Sequence, residues 1–264
     1  ERLDQFRPQA GKTDIYISGI GDAGRFSAHG AMPAYTSSAV GLEMGMINHL
    51  TAQTSLGYAL SVKTGAAASS AAGNKLTYNP TTFAGDIMAR WNSGTGSFVQ
   101  AVAGASFTHA GEYERNLNIA GQVNKASPNG HAFSFITRGG HDFVMGKMTL
   151  TPSVKLGMLS GATQSFQETG AIAPLSYRGR TISTLVAGGE IKLRYMIQTG
   201  LQAHALVGYE AFLGQTGKAL RGALVGSPGS DFSRNVGRIE SPGLVLGVGL
   251  SGMISGVEAS ADYN

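Results

Sequence analysis

The chain has 264 residues and a formal charge of +4; 42% of it is hydrophobic, only 14% is charged, and it has no cysteine. The missing cysteine excludes a disulfide framework and a thiolate-ligated metal, and the scattered basic residues, without any Lys/Arg run, argue against a nucleic-acid partner. No apolar run approaches the roughly 18 residues of a membrane helix, so a charge content well under the usual quarter points to apolar surface spread over many short strands or to an unusually uncharged soluble protein.

Residues 1–11 are a short polar lead containing Leu3 and Phe6, and they do not read as a secretory signal. The stretch GIGDAG, residues 19–24, then spells G-x-G-x-x-G after an apolar run. A dinucleotide turn needs a helix opening at the third glycine, whereas Gly30 and Pro33 would break a helix starting there. The same spelling recurs at residues 247–252 inside an alternating stretch, as expected by chance in a chain with 39 glycines. No cofactor is expected, and the hexad reads as the top of a first strand entering its loop.

From there period-two alternation dominates. Val40, Leu42, Met44 and Met46 oppose Ala39, Gly41, Glu43 and Gly45, and Leu56, Tyr58, Leu60 and Val62 oppose Gly57, Ala59, Ser61 and Lys63. Phe83, Ile87 and Trp91 oppose Asp86 and Arg90, and Val99, Ala101, Ala103, Ala105 and Phe107 continue the apolar face. Val154, Leu156 and Met158 oppose Lys155 and Gly157, while Ile191, Leu193 and Tyr195 oppose Glu190, Lys192 and Arg194. Val207 and Tyr209 oppose Gly208 and Glu210, Leu246 and Val248 oppose Gly247 and Gly249, and Val257 and Ala259 oppose Glu258 and Ser260. One face is always apolar and the other small, polar or charged.

Connections alternate between short and long. Short reversals are expected at residues 48–49, 92–96, 143–147, 198–200 and 255–256, and long ones at about 23–34, 65–74, 109–128, 160–180 and 214–242. Long loops gathered at one end mark a transmembrane antiparallel β-barrel, whose strands cross about 25 Å of hydrocarbon between short periplasmic turns and long outer loops. The fold class is therefore all-β, with inward glycines keeping a narrow lumen open. The charges Glu43, Lys63, Asp86, Arg90, Lys155, Glu190, Lys192, Arg194, Glu210 and Glu258 are expected to face that lumen. Trp91, Phe98, Phe143 and Tyr195, near the short turns, are expected to form an interfacial aromatic girdle.

Val207-Gly208-Tyr209-Glu210, Ala223-Leu224-Val225-Gly226-Ser227-Pro228-Gly229 and Pro174-Leu175-Ser176-Tyr177, set among these amphipathic strands behind a polar lead, resemble the translocator barrels of autotransporters, particularly the esterase type. The resemblance implies a monomeric barrel of about 12 strands in the bacterial outer membrane, serving export of an N-terminal passenger (type V secretion). It further implies lipid, lipopolysaccharide and barrel-assembly machinery as partners. Residues 1–11 would be a linker or pore-helix end, with Leu3 and Phe6 packing in the pore, and residues 12–264 the barrel. About 11 strands can be counted, so a final strand is expected to be missing from the sequence, the alternatives being that one strand goes uncounted or that another chain closes the barrel by strand addition. No G-x-S-x-G elbow occurs, the six histidines show no metal spacing, and Gly11-Lys12-Thr13 lacks the first glycine of a phosphate loop. Neither catalysis nor a metal is expected. The residues leave open a porin-like or adhesin-like barrel whose long loops bind or gate, and a soluble all-β module.

Overall fold

The computed structural model describes residues 10–26, 34–71, 74–117, 121–170, 172–198, 201–217, 219–235, 243–254 and 257–263. In chain order the strands are β1 (Thr13–Phe26), β2 (Tyr35–His49), β3 (Thr54–Ala71), β4 (Asn74–Tyr78), β5 (Thr81–Asn92) and β6 (Ser97–His109). They continue with β7 (Tyr113–Asn116), β8 (Val123–Ala126), β9 (Asn129–His141), β10 (Phe143–Met145), β11 (Met148–Thr163), β12 (Phe166–Gln167) and β13 (Leu175–Tyr177). The last are β14 (Arg180–Gln198), β15 (Leu201–Gln215), β16 (Ala219–Leu224), β17 (Phe232–Asn235), β18 (Gly243–Ile254) and β19 (Val257–Tyr263).

The principal sheet is a meander in which β1, β2, β3, β5, β6, β9, β11, β14, β15, β18 and β19 pair antiparallel, each with the next. Those eleven strands match the number expected. Among the described residues, β1 pairs only with β2 and β19 only with β18. The sheet curls inside-out relative to a soluble protein. Large apolar side chains are its exposed ones: Ile15 is 76% exposed, and Val40, Leu60, Ile87, Val154, Leu156 and Leu244 follow it. The alternate residues on the same strands are the buried or half-buried ones, among them Arg90, Gln100, Ser153 and Lys192. An apolar exterior around a polar interior suits strands whose solvent is hydrocarbon on one side and a wet lumen on the other.

The turns at one end are short. Residues 50–53 join β2 to β3, residues 93–96 join β5 to β6, and β10 folds back on β11 over a left-handed Gly146 (φ 62°). The reversal expected at Asn48-His49 falls two residues later, because both residues still pair across β2 and β3. The connections at the other end are not plain loops. The strands run further than their alternation suggests: Gly24 of GIGDAG still pairs with Ser37, and β3 continues to Ala71. Beyond them, β4, β7 and β8 extend the principal sheet, while β12, β13, β16 and β17 form a separate four-stranded sheet. Reciprocal backbone bonds between Lys125 and Thr169, at 2.9 and 2.8 Å, tie the two together.

Some inward glycines stand where a neighbouring ring needs their space. Tyr16 pairs with Gly45, and a Cβ on Gly45 would lie 2.5 Å from the ring. Phe98 pairs with Gly140 in the same way, with a Cβ only 2.7 Å from Phe98 Cζ. Tyr16 and Val102 also pack against Ile47, Ala59 and Met88, which make a small inward apolar cluster.

Candidate functional site: the lumen wall

Alternation fixes which side chains reach the lumen, and the register across strands fixes which of them meet. Arg138 stands beside Lys155 in the β9/β11 pair, and Ser153 beside Glu190 in the β11/β14 pair. Arg138 Nε donates to Ser153 Oγ at 2.9 Å, and its Nη2 lies 2.5 Å from Glu190 Oε1. Lys155 forms an ion pair with Glu210, two strands away. Arg194 Nη2 donates to Asp142 Oδ1 at 3.0 Å, and Thr151 donates to the same carboxylate oxygen. Arg90 Nε donates to Asn92 Oδ1 at 2.9 Å. The Arg90 guanidinium carbon sits 4.2 Å from the Phe98 ring centroid and that of Arg138 5.4 Å from it, so two cations share one aromatic ring.

Of the expected lumen charges, Glu43, Lys63, Asp86, Arg90, Lys155, Glu190, Lys192, Arg194 and Glu210 all lie on the face opposite the exposed apolar row. The structure gathers Lys155, Glu190, Arg194 and Glu210 into a band of ion pairs across β9 to β15, to which Arg90 of β5 is joined through the Phe98 ring it shares with Arg138, while Lys192 is buried on β14. Glu43, Lys63 and Asp86 line the same face on β2, β3 and β5. The Glu258 side chain, with Leu3 and Phe6, lies outside the described residues. Asp142, Arg138 and Ser153 complete the band. Arg138 could have been found by its odd separation from Phe133 and Phe135 on the outer face, whereas Asp142 sits past the strand end, where alternation gives no signal.

Three of the four expected girdle residues, Trp91, Phe143 and Tyr195, are about half exposed near the short turns. Phe98 is not among them. It is 2% exposed and points into the lumen, because its neighbour Val99 takes the outer face.

At the short-turn end, His49 Nε2 lies 2.9 Å from Asp14 Oδ2 and its Nδ1 2.7 Å from Ser55 Oγ. A carboxylate only accepts, so Nε2 carries the proton, and in the neutral ring Nδ1 accepts from the serine hydroxyl. This aligns Asp, His and Ser as in a hydrolase, but Ser55 and His49 are each 2% exposed, which closes the hydroxyl to a substrate. With Lys12 Nζ 2.8 Å from Asp14 Oδ1, and backbone bonds from Gly11 N–H to His49 O and from His49 N–H to Lys12 O, the set instead fastens the start of β1 to β2 and β3. His49→Ala strands two polar partners. We expect a loss on the order of 1 kcal/mol, read as a lower temperature for the heat-induced shift in gel mobility.

The outward loops hold a second buried polar set. The Glu168 carboxylate, wholly buried, accepts from Arg115 Nε at 2.8 Å, from Arg115 Nη2 at 2.5 Å and from the Leu175 N–H at 2.9 Å. Tyr113 and Tyr177 flank Phe166 in an edge-on and a stacked contact, and burial pushes both phenols up, so they remain neutral donors. The Glu168 contact holds the Arg115 guanidinium above its ordinary range. Among the described residues no group of His, Asp and Glu could hold a metal ion.

Apolar exterior, charged lumen, short turns at one end and folded loops at the other define a transmembrane antiparallel barrel. The model of the autotransporter beta-domain matches residues 15–264, and the chain belongs to that family. It is an outer-membrane translocator domain that serves export of a passenger. The match is to the family as a whole and does not single out the esterase type. Two solved structures share the fold. The translocator domain of the autotransporter NalP from Neisseria meningitidis aligns with a TM-score of 0.79 at 15% identity, covering 99% of this chain and 84% of that one. The beta domain of the Bordetella autotransporter BrkA aligns at 0.62 and 13%, covering 95% and 91%. No curated protein sequence matches the chain.

Proposed function

We propose that the passenger chain reaches the cell surface along this charged lumen, with residues 1–11 as the linker that occupies it and Leu3 and Phe6 packing inside. The observation that carries this reading is where β1 begins. Gly11 and Lys12 bond to His49 at the short-turn end, whereas the long loops rise at the other. Short turns face the periplasm, so a chain that enters β1 there and has its passenger outside must traverse the barrel. The ion-paired band between β9 and β15 gives such a linker a polar wall of both signs. The domain acts by holding a path open and not by catalysis; lipopolysaccharide surrounds its outer rim, and the assembly machinery inserts it as a monomer.

We propose also that a further strand closes the sheet between β19 and β1. Among the described residues eleven strands cross and the edges of β1 and β19 are unpaired, which would leave backbone groups unsatisfied in lipid, and single-chain barrels of this kind have even strand numbers.

Single-channel conductance in planar bilayers tests the path. Deleting residues 1–11 from the full protein is expected to raise conductance. Unchanged conductance would favour a porin-like barrel and sink the linker reading.

A further inference from the structure

Across the lipid face, Gly139 of β9, Val154 of β11, Gly189 of β14, Tyr209 of β15 and Leu244 of β18 lie side by side in one register row. Most outward positions around the barrel carry large apolar side chains. Here two glycines alternate with Val154 and Tyr209, and the result is a trough with a volume of about 660 Å³, Ile191 on its flank. The depression is shallow and open along the sheet face, as a groove that takes a chain lengthwise would be. Neither glycine is required by the backbone. Both lie outside the positive-φ region, and the nearest atom to an added Cβ is Phe98 O at 3.7 Å for Gly139 and Ser153 O at 3.8 Å for Gly189. Larger residues would fit, and they would fill the trough.

We propose that this trough seats one acyl chain of a membrane lipid as a bound ligand, distinct from the exchanging lipid around the rest of the barrel. The trough is continuous with the hydrocarbon-facing band, since Val154, Tyr209 and Leu244 are among its exposed residues. No water is available at that depth, and an empty trough would forfeit contacts along its whole lining. A flexible chain fits a curved, glycine-floored depression better than a rigid protein surface does. The row runs along the hydrogen-bonding direction of tilted strands, so the chain would lie aslant to the membrane normal and hold its lipid in one orientation against β9 to β18.

The full protein, folded in phosphatidylethanolamine and phosphatidylglycerol vesicles and released into mild detergent, can be examined by native mass spectrometry for retained phospholipid. Wild type is expected to keep a lipid that Gly139→Leu and Gly189→Leu each keep roughly tenfold less, a decade in affinity. Gly85→Leu, which adds the same side chain on the lipid face of β5, two strands away from β9 and the trough, should retain lipid as wild type does. Gly189→Ala supplies a milder variant if either leucine prevents folding, and its retention should fall between. Equal retention in all variants, or none in wild type, overturns the proposal. So does a dimer that the leucines abolish, which would assign the trough to a second protein. Passenger display on cells carrying Gly189→Leu reports separately on export, so failure of the lipid site and failure of the translocator reading are distinguishable.

Discussion

Replacing Arg115 with leucine is expected to unlock the outward loops while the barrel beneath them stays folded. Glu168 loses two charge-assisted bonds, at 2.8 and 2.5 Å, and keeps one good donor, the Leu175 N–H, with Tyr113 and Asn124 at 3.4 Å. Its carboxylate is wholly buried, and removing one partner of a buried pair costs about 3–5 kcal/mol, because the remaining charge has nowhere to go. Arg115 also donates to Ala173 O at 2.9 Å, so the β12–β13 connection loses a second hold. The cost falls on β7, β8, β12 and β13 and not on the crossing strands, whose ladders do not involve these groups. Limited proteolysis should therefore cut within residues 164–179 of the variant much faster than in wild type, with heat-modifiable mobility retained. Glu168→Gln removes the charge and should cost less than Arg115→Leu; a double-mutant cycle would isolate the pair. A proteolytic pattern unchanged by Arg115→Leu would show that the pair does not hold the loops together.

The barrel was legible in the sequence because its two solvents differ so sharply. Crossing strands face hydrocarbon on one side, and alternation such as Val154-Lys155-Leu156 therefore recurs along the chain, although Ile47, Met88 and Val102 turn apolar side chains inward. The loop sheets were not legible, since Phe166–Gln167, Leu175–Tyr177 and Phe232–Asn235 are too short to show a period. Phe98 shows a different failure. Its aromatic ring near a short turn suggested a girdle, yet alternation with Val99 already required it to face the lumen, and side-chain parity outweighs residue type within a strand. The Glu168 and His49 sets lay beyond reach for another reason. They join residues 53 and 35 positions apart, and single-sequence patterns carry no information on such pairings.

Gly139 and Gly140 are adjacent in sequence and identical in chemistry, and leucine is expected to have opposite consequences at the two. Gly140 faces inward. A Cβ there would stand 2.7 Å from Phe98 Cζ and 2.7 Å from the Pro152 carbonyl oxygen. The ring cannot swing aside cheaply, because Arg90 and Arg138 flank it, and Arg138 is in turn held by Glu190 and Ser153. The carbonyl belongs to the β11 backbone and moves only with its strand. Overpacking of this kind costs about 1–3 kcal/mol, and a clash with backbone on one side and a clamped ring on the other places Gly140→Leu at the upper end or beyond. Gly139 faces lipid, where an added Cβ meets nothing closer than Phe98 O at 3.7 Å, an ordinary contact distance, and the rest of a leucine adds apolar surface to the outer band. Refolding each variant into detergent and reading the compact, heat-modifiable form on a gel should show Gly140→Leu largely unfolded and Gly139→Leu equal to wild type. If both fold equally well, the aromatic ring on the glycine is not what sets the spacing of β6, β9 and β11, and the lumen wall tolerates side chains that its geometry in this structure excludes.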